Sequence, residues 1–221
     1  MKSTPRVSIV IPTHDIPEKT YFLNRSMGMI EKQTLKDFEV ILNQNGQGLS
    51  KNTNEGIRRA TGELIKILFM DDFLAHEDSL KDISDNFSSH DHWLATAYTH
   101  TRDNKTFFND RVPYYRERIT RGRNSIGPPS VLTVRRSDKM FFDENLSWVV
   151  DCDFYKRYHD QYGGPKIVNS INVIIGIGSH QLTNSIKDRN KAEEYALLKN
   201  RYKKMSVLRR IVRAYSALLR R

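Results

Sequence analysis

Ile65-Lys-Ile-Leu-Phe-Met-Asp-Asp-Phe73 is an apolar, strand-like run that ends in two adjacent carboxylates, Asp71 and Asp72. Two similar runs stand ahead of it, Val7-Ser-Ile-Val-Ile-Pro-Thr13 and Phe38-Glu-Val-Ile-Leu42, each followed by a stretch long enough for a helix. Short apolar strands alternating with such stretches describe β-α-β units around a parallel sheet. In open α/β sheets ligands bind beyond the carboxyl ends of the strands, and the Asp pair falls there. Paired carboxylates in that place suit a divalent cation holding a phosphorylated substrate. The plainer role, closing the strand or capping a helix near Asp78, draws on the same residue chemistry, because Asp favours turns and N-caps.

Outward from this run the pattern predicts a helix over 19–33, with Phe22, Leu23, Met27 and Ile30 on its inner face. Asn43-Gln-Asn-Gly-Gln-Gly48 is a polar loop, and 52–60 reads as a short helix closed by Gly62. A helix over 79–87 and a strand over 93–98 follow, then a polar, aromatic segment over 100–123 with room for a short hairpin. Gly127-Pro-Pro-Ser130 introduces a strand over 131–134, and a helix over 150–162 and a strand over 166–175 complete the body. The expected organisation is one α/β domain over 1–186 and a helical tail over 187–221.

At 221 residues, 38% apolar and 28% charged, the chain has the composition of a polar globular protein. Its single cysteine, Cys152, excludes an internal disulfide framework and any Cys-rich zinc site. Met1 to Arg6 supplies no apolar signal region, and no apolar stretch approaches 20 residues. These features set the expectation of a cytoplasmic protein. No Gly-x-Ser-x-Gly elbow or P-loop is present, so serine-hydrolase and P-loop NTPase chemistry have no support.

The net charge is +10, and from Arg201 to Arg221 there are basic residues but no Asp or Glu. Met205, Leu208, Ile211, Val212, Tyr215, Leu218 and Leu219 recur there at helical spacing, giving a basic amphipathic helix. Three readings fit it: attachment at the inner face of an anionic membrane, packing onto the body or a second copy, and binding of an acidic partner. No nucleic-acid-binding motif supports nucleic acid as that partner.

Four features in order, Val7 to Thr13, Asn52-x-Asn-x-Gly56-x3-Ala60-x-Gly62, Asp71-Asp72 and Asp151-Cys-Asp-Phe-Tyr-Lys-Arg157, resemble the GT-A glycosyltransferases of family 2. The resemblance covers residues 7–186. It implies a mixed, mainly parallel sheet flanked by helices, and an inverting transfer of sugar from a nucleotide-sugar to an acceptor hydroxyl. A surface glycan or lipid-linked saccharide is the implied acceptor.

Residue by residue, the resemblance implies Asp72 as ligand of Mn²⁺ or Mg²⁺, with Asp71 facing the ribose or sharing the metal. Thr13, Asp15, Gln44, Asn45, Asn52 and Asn54 would line the nucleotide pocket. Gln44-Asn45 stands where the family often has Asp-Asp, which leaves the base preference open. Asn52 and Asn54 serve equally well as helix-capping residues. Asp151 falls at the family's catalytic base, preceded by Val150 instead of Glu; Asp153 is the competing carboxylate. His180 would lie near the diphosphate or metal. Arg121, Arg123 and Lys105 flank the acceptor segment, and Trp148 would stack on an acceptor sugar or pack internally. Two other functions compete: a catalytically silent glycan-binding or scaffold protein on the same fold, and a nucleotidyltransferase, which would typically need a glycine-rich phosphate loop near the start.

Overall fold

The computed structural model describes residues 4–137, 141–181, 184 and 186–218, without the side chains of Lys204 and residues 206–218. In chain order the elements are β1 Val7–Pro12, α1 Lys19–Glu31, β2 Phe38–Asn43, α2 Leu49–Arg59, β3 Leu64–Ile67, β4 Phe73–Leu74 and α3 Ser79–Asp85. They continue with β5 Trp93–Thr101, β6 Phe107–Arg111, β7 Leu132–Arg135, α4 Val150–Tyr162, β8 Lys166–Gly176 and α5 Asp188–Leu218, with 3-10 turns at Glu117–Arg121 and Pro129–Val131.

All six residues of β1 and all four of β3 are buried, as strands covered on both faces require. The sheet runs β2-β1-β3-β7-β5-β8-β4, with β6 paired to β5. β1 is parallel to β2 and β3, and β5 is parallel to β8, whereas β7, β4 and β6 are antiparallel to their neighbours. This is the mixed sheet flanked by helices expected from the sequence. Because β7 alone reverses between β3 and β5, its amino end lies at the same edge as the carboxyl ends of β1, β3, β5 and β8. The carboxyl end of β2, parallel to β1, joins them at this edge of the sheet.

The core joins both faces of the sheet to the helices: Ile30 of α1, Ile57 of α2, Leu80 and Ile83 of α3, and Phe154 and Tyr158 of α4 are buried in it. On α4, Phe154 stacks on Phe142 and Tyr158, and Tyr155 and Tyr158 lie against Trp93 of β5.

β5 runs three residues beyond the expected 93–98, α1 and α3 end two residues early, and two further differences have a clear cause. α2 starts at Leu49 because the Asn52 N–H already bonds the Gly48 carbonyl at 3.0 Å, one turn earlier than the apolar spacing suggests. β4 has only two residues, too few for any periodicity, and exists through its pairing with β8. The first turns of α5 belong to the body: Leu198 and Tyr202 are buried, and Arg201 bridges Asp143 at 2.8 Å and Asp153 at 2.6 Å. Met205 is exposed; Leu219 and the side chains of Leu208, Ile211, Val212, Tyr215 and Leu218 lie outside the described residues. Among the described residues no helix is long and apolar enough to cross a membrane.

Candidate active site

A pocket of about 150 Å³ opens at the shared sheet edge, lined by His14 after β1, by Asp71 and Asp72 after β3, by Pro128 ahead of β7, and by His180 and Gln181 after β8. The turn carrying the carboxylates is closed by the Asp72 N–H on the Phe69 carbonyl at 2.9 Å. Asp72 is buried, and its Oδ1 accepts the Gly176 N–H at 2.9 Å. Asp71 accepts from or donates to His180 Nε2 across 3.1 Å through Oδ2, according to the imidazole's protonation.

Burial raises the Asp71 carboxyl above its ordinary range. Asp72 is pushed well up, first by burial and then by repulsion from Asp71. Two carboxylates in this condition attract a cation. Part of that need is met by Arg25 of α1, whose guanidinium donates to the Asp71 carbonyl and lies 4.3 Å from the Phe73 ring centroid. On the other side Lys66 of β3, wholly buried, donates to the Ser130 and Leu132 carbonyls, and burial lowers its ammonium to about 7 against the opposing pull of Asp72.

The donor set suits Mn²⁺ or Mg²⁺: a carboxylate pair with an imidazole beside it, and, facing the same pocket, a buried His14 Nε2 with no hydrogen-bond partner among the described residues. Among those residues no three His, Cys, Asp or Glu side chains are gathered closely enough to hold a metal ion by themselves. Magnesium-type sites rarely have such a group, since one or two carboxylates and the substrate's own phosphates complete them.

At the ends of β1 and β2 the structure draws Thr13, Asp15 and Gln44 into one network. Gln44 Nε2 donates to Asp15 at 2.8 Å, Thr13 Oγ1 donates to Gln44 Oε1 at 3.2 Å, and Lys19 Nζ reaches Asp15 at 3.0 Å. Asn45 is turned to Glu55 at 2.7 Å. Asn52 and Asn54 are buried in connections of the body. Asn52 Nδ2 donates to the Thr13 carbonyl at 2.8 Å and its Oδ1 accepts from Asn43; Asn54 pairs in both directions with the Phe142 backbone.

Asp151 sits in the first turn of α4, where the Cys152 N–H donates to its Oδ1 at 2.7 Å and the Asn124 amide donates to its Oδ2. Burial raises its carboxyl, and those two donors pull it back. Asp153 points the other way and is fully buried between Arg157, Arg201 and the Tyr202 hydroxyl. Of Asp151 and Asp153, only Asp153 is locked between cationic side chains.

Trp148, half-buried, packs edge-on to Tyr195 of α5 with the Lys191 ammonium 4.8 Å from its ring centroid. Arg121 and Arg123 line a second cleft beside α5. Lys105 lies away from both, in the turn joining β5 to β6, where its N–H bonds Asp103 at 2.9 Å.

Sequence reading passed over His14, Arg25, Lys66 and Glu194. His14 lies in the Pro12-Thr-His-Asp15 turn that follows β1, so its position at a strand's carboxyl end is a local signal. Arg25 stands on a helix 46 positions from Asp71, with no local sign of its partner. Lys66 looked like the one polar residue in an apolar strand, and Glu194 like a surface acid.

The family description "Glycosyl transferase family 2" matches residues 27–158. None of the curated proteins matches the sequence. Among solved structures, the fold is similar to S. aureus TarS in complex with UDP-GlcNAc, at 16% identity and a TM-score of 0.62, covering 82% of this chain and 61% of that one. A further S. aureus TarS structure gives 15% identity, a TM-score of 0.60, and coverage of 78% and 37%. Mannosyltransferase PcManGT from Pyrobaculum calidifontis, in complex with GDP-Man and Mn²⁺, gives 12% identity, a TM-score of 0.56, and coverage of 80% and 59%. The chain thus spans less than two thirds of the length of these structures.

Proposed function

The chain belongs to glycosyltransferase family 2, and from that membership we propose that it moves a sugar from a nucleotide-sugar donor to an acceptor hydroxyl by an inverting displacement. The observation that carries this reading is the meeting of Asp71, Asp72 and His180 at the sheet edge, with the oriented carboxylate Asp151 on the adjoining helix. Similar folds bound to UDP-GlcNAc and to GDP-Man with Mn²⁺ support the donor class and the cation.

Asp72 and His180 would hold the cation, with Asp71 alongside. Mn²⁺ or Mg²⁺ bound there would neutralise the negative charge of the diphosphate. The pocket of about 150 Å³ has room for a cation and phosphates but not for a whole nucleotide-sugar. The base then lies over Thr13, Asp15 and Gln44, whose mixed donors and acceptors read a base edge. The Asn124 and Cys152 donors fix the orientation of the Asp151 carboxylate. Asp151 takes the proton of the acceptor hydroxyl as that oxygen forms its bond to the anomeric carbon. The bond to the phosphate oxygen breaks on the opposite face. Its raised pKa makes Asp151 a better base than an exposed carboxylate. The acceptor we propose is a surface glycan or lipid-linked saccharide, presented at the cytoplasmic face of a membrane that the basic C-terminal segment attracts.

The test is a calorimetric and thermal-shift screen of nucleoside diphosphates and nucleotide-sugars with Mn²⁺, on the wild type and on Asp72→Ala. Binding of one donor that requires both the metal and Asp72 is the expected result. Failure of every nucleotide to bind the wild type would remove the reading.

A further inference from the structure

A cleft of about 610 Å³ lies between residues 117–123 and α5, lined by Arg118, Arg121, Arg123, Tyr195, Ala196 and Lys199. Four of its six lining residues are cationic and none is acidic. None of those four side chains makes a hydrogen bond or ion pair among the described residues. The carboxylates that could have compensated them are committed elsewhere. Glu194, the neighbour of Tyr195, is turned onto the backbone N–H groups of 147–149. Glu117 pairs with Lys156, and Glu193 with Arg189. Like charges gathered without counter-charges repel, and the arrangement is relieved by an anion.

We propose that this cleft is an acceptor subsite for a phosphate-bearing saccharide, deepening the transferase reading on which it rests. Arginine forks bind phosphate oxygens in bidentate fashion, and three of them here line one cleft. The wall is rigid. Gly122 caps the 3-10 turn at φ +71, and a Cβ there would stand 2.1 Å from the Tyr195 ring, so only glycine lets this ring close on the turn. The ring's other neighbour is Trp148, three residues ahead of Asp151. Tyr195 lines the cleft and is 36% exposed, which leaves part of its ring for a sugar beside the cations. On the far rim, Arg123 is followed directly by Asn124, the residue that donates to Asp151. A phosphate held in the cleft places the saccharide attached to it next to the base.

Metal-free calorimetry with tripolyphosphate, glucose 6-phosphate and glucose tests this at low salt, beside flotation with phosphatidylglycerol vesicles. Expected is binding of both phosphates but not glucose, weakened about tenfold or more in Arg121→Gln/Arg123→Gln. The charge-matched control Lys32→Gln/Lys51→Gln should bind as the wild type does. Mn²⁺-dependent donor binding, measured separately, should survive the arginine changes, so failure of the donor site and failure of the cleft are distinguishable. Equal phosphate binding by the two double variants would overturn the proposal. So would phosphate binding lost in Asp72→Ala and kept in the arginine variant, or capture by vesicles without affinity for either soluble phosphate.

Discussion

Glu194 on α5 accepts the backbone N–H of Trp148 at 2.8 Å, and the same carboxylate takes those of Ser147 at 2.9 Å and Val149 at 3.1 Å. These are the last residues before α4, the helix that carries Asp151. One side chain from the end of the fold thereby sets the entry to the helix bearing the proposed base, and its negative charge faces the positive end of that helix.

Replacing Glu194 by Ala leaves three N–H groups without their charged acceptor. Unfolding in denaturant should show a loss of about 1–3 kcal/mol. Glu194→Gln, which keeps one acceptor oxygen, should lose less.

Asp151→Asn should lower the transfer rate by about 10²–10⁴-fold while donor binding is retained. Asp151 must be ionised to accept a proton, and burial raises its pKa. The rate should therefore fall, as pH drops, at a pH above the ordinary aspartate value of 3.8. Removing a donor that favours the ionised form, in Asn124→Leu, should move that acid limb of kcat/KM higher still. A limb that stays in place would count against Asp151 as the base.

Lys66 gives a separate signature in stability. Its ammonium titrates at about 7 in the fold and at the ordinary 10.5 when unfolded, so between those values the unfolded chain binds the extra proton. Stability should rise with pH across that window, by up to about 1.4 kcal/mol per pH unit. In Lys66→Met that slope should vanish, which denaturant titrations at pH 7, 8 and 9 would detect.

Gly176 ends β8 against the Asp71-Asp72 turn, and a Cβ there would lie 2.2 Å from the Asp71 carbonyl oxygen. Its N–H also holds Asp72. Gly176→Ala should displace the Asp71-Asp72 turn and weaken Mn²⁺-dependent donor binding by about tenfold or more, with a stability cost of about 1–3 kcal/mol. Unchanged donor affinity in a folded variant would contradict a donor site at this turn.

Most elements of the body were legible because they are signalled locally; β4, which exists through its pairing with β8, was not. Apolar runs of four to six residues mark β1, β2 and β3, and three-and-four spacing marks α1. The turn after β3 was visible from its carboxylates, and the start of α4 from Asp151. The choice between Asp151 and Asp153 was not, because it rests on Arg157, Arg201 and Tyr202 closing around Asp153. Nor could the sequence show that the Asn52 and Asn54 amides are turned inward onto the Thr13 and Phe142 carbonyls.

By itself, then, the sequence determined the β-α order, the placing of carboxylates at strand and helix ends, and the membership in the family. Periodicity and turn chemistry act between residues a few positions apart. The tertiary structure alone decided which charges are compensated and which are left open. Arg25 reaches Asp71 across 46 positions, Glu194 reaches Trp148 across 46, and Arg201 reaches Asp143 across 58. Those pairings neutralise some groups, bury others and leave the cleft arginines without a partner among the described residues. Solvation and Coulomb energy depend on distance in space, which chain position does not encode.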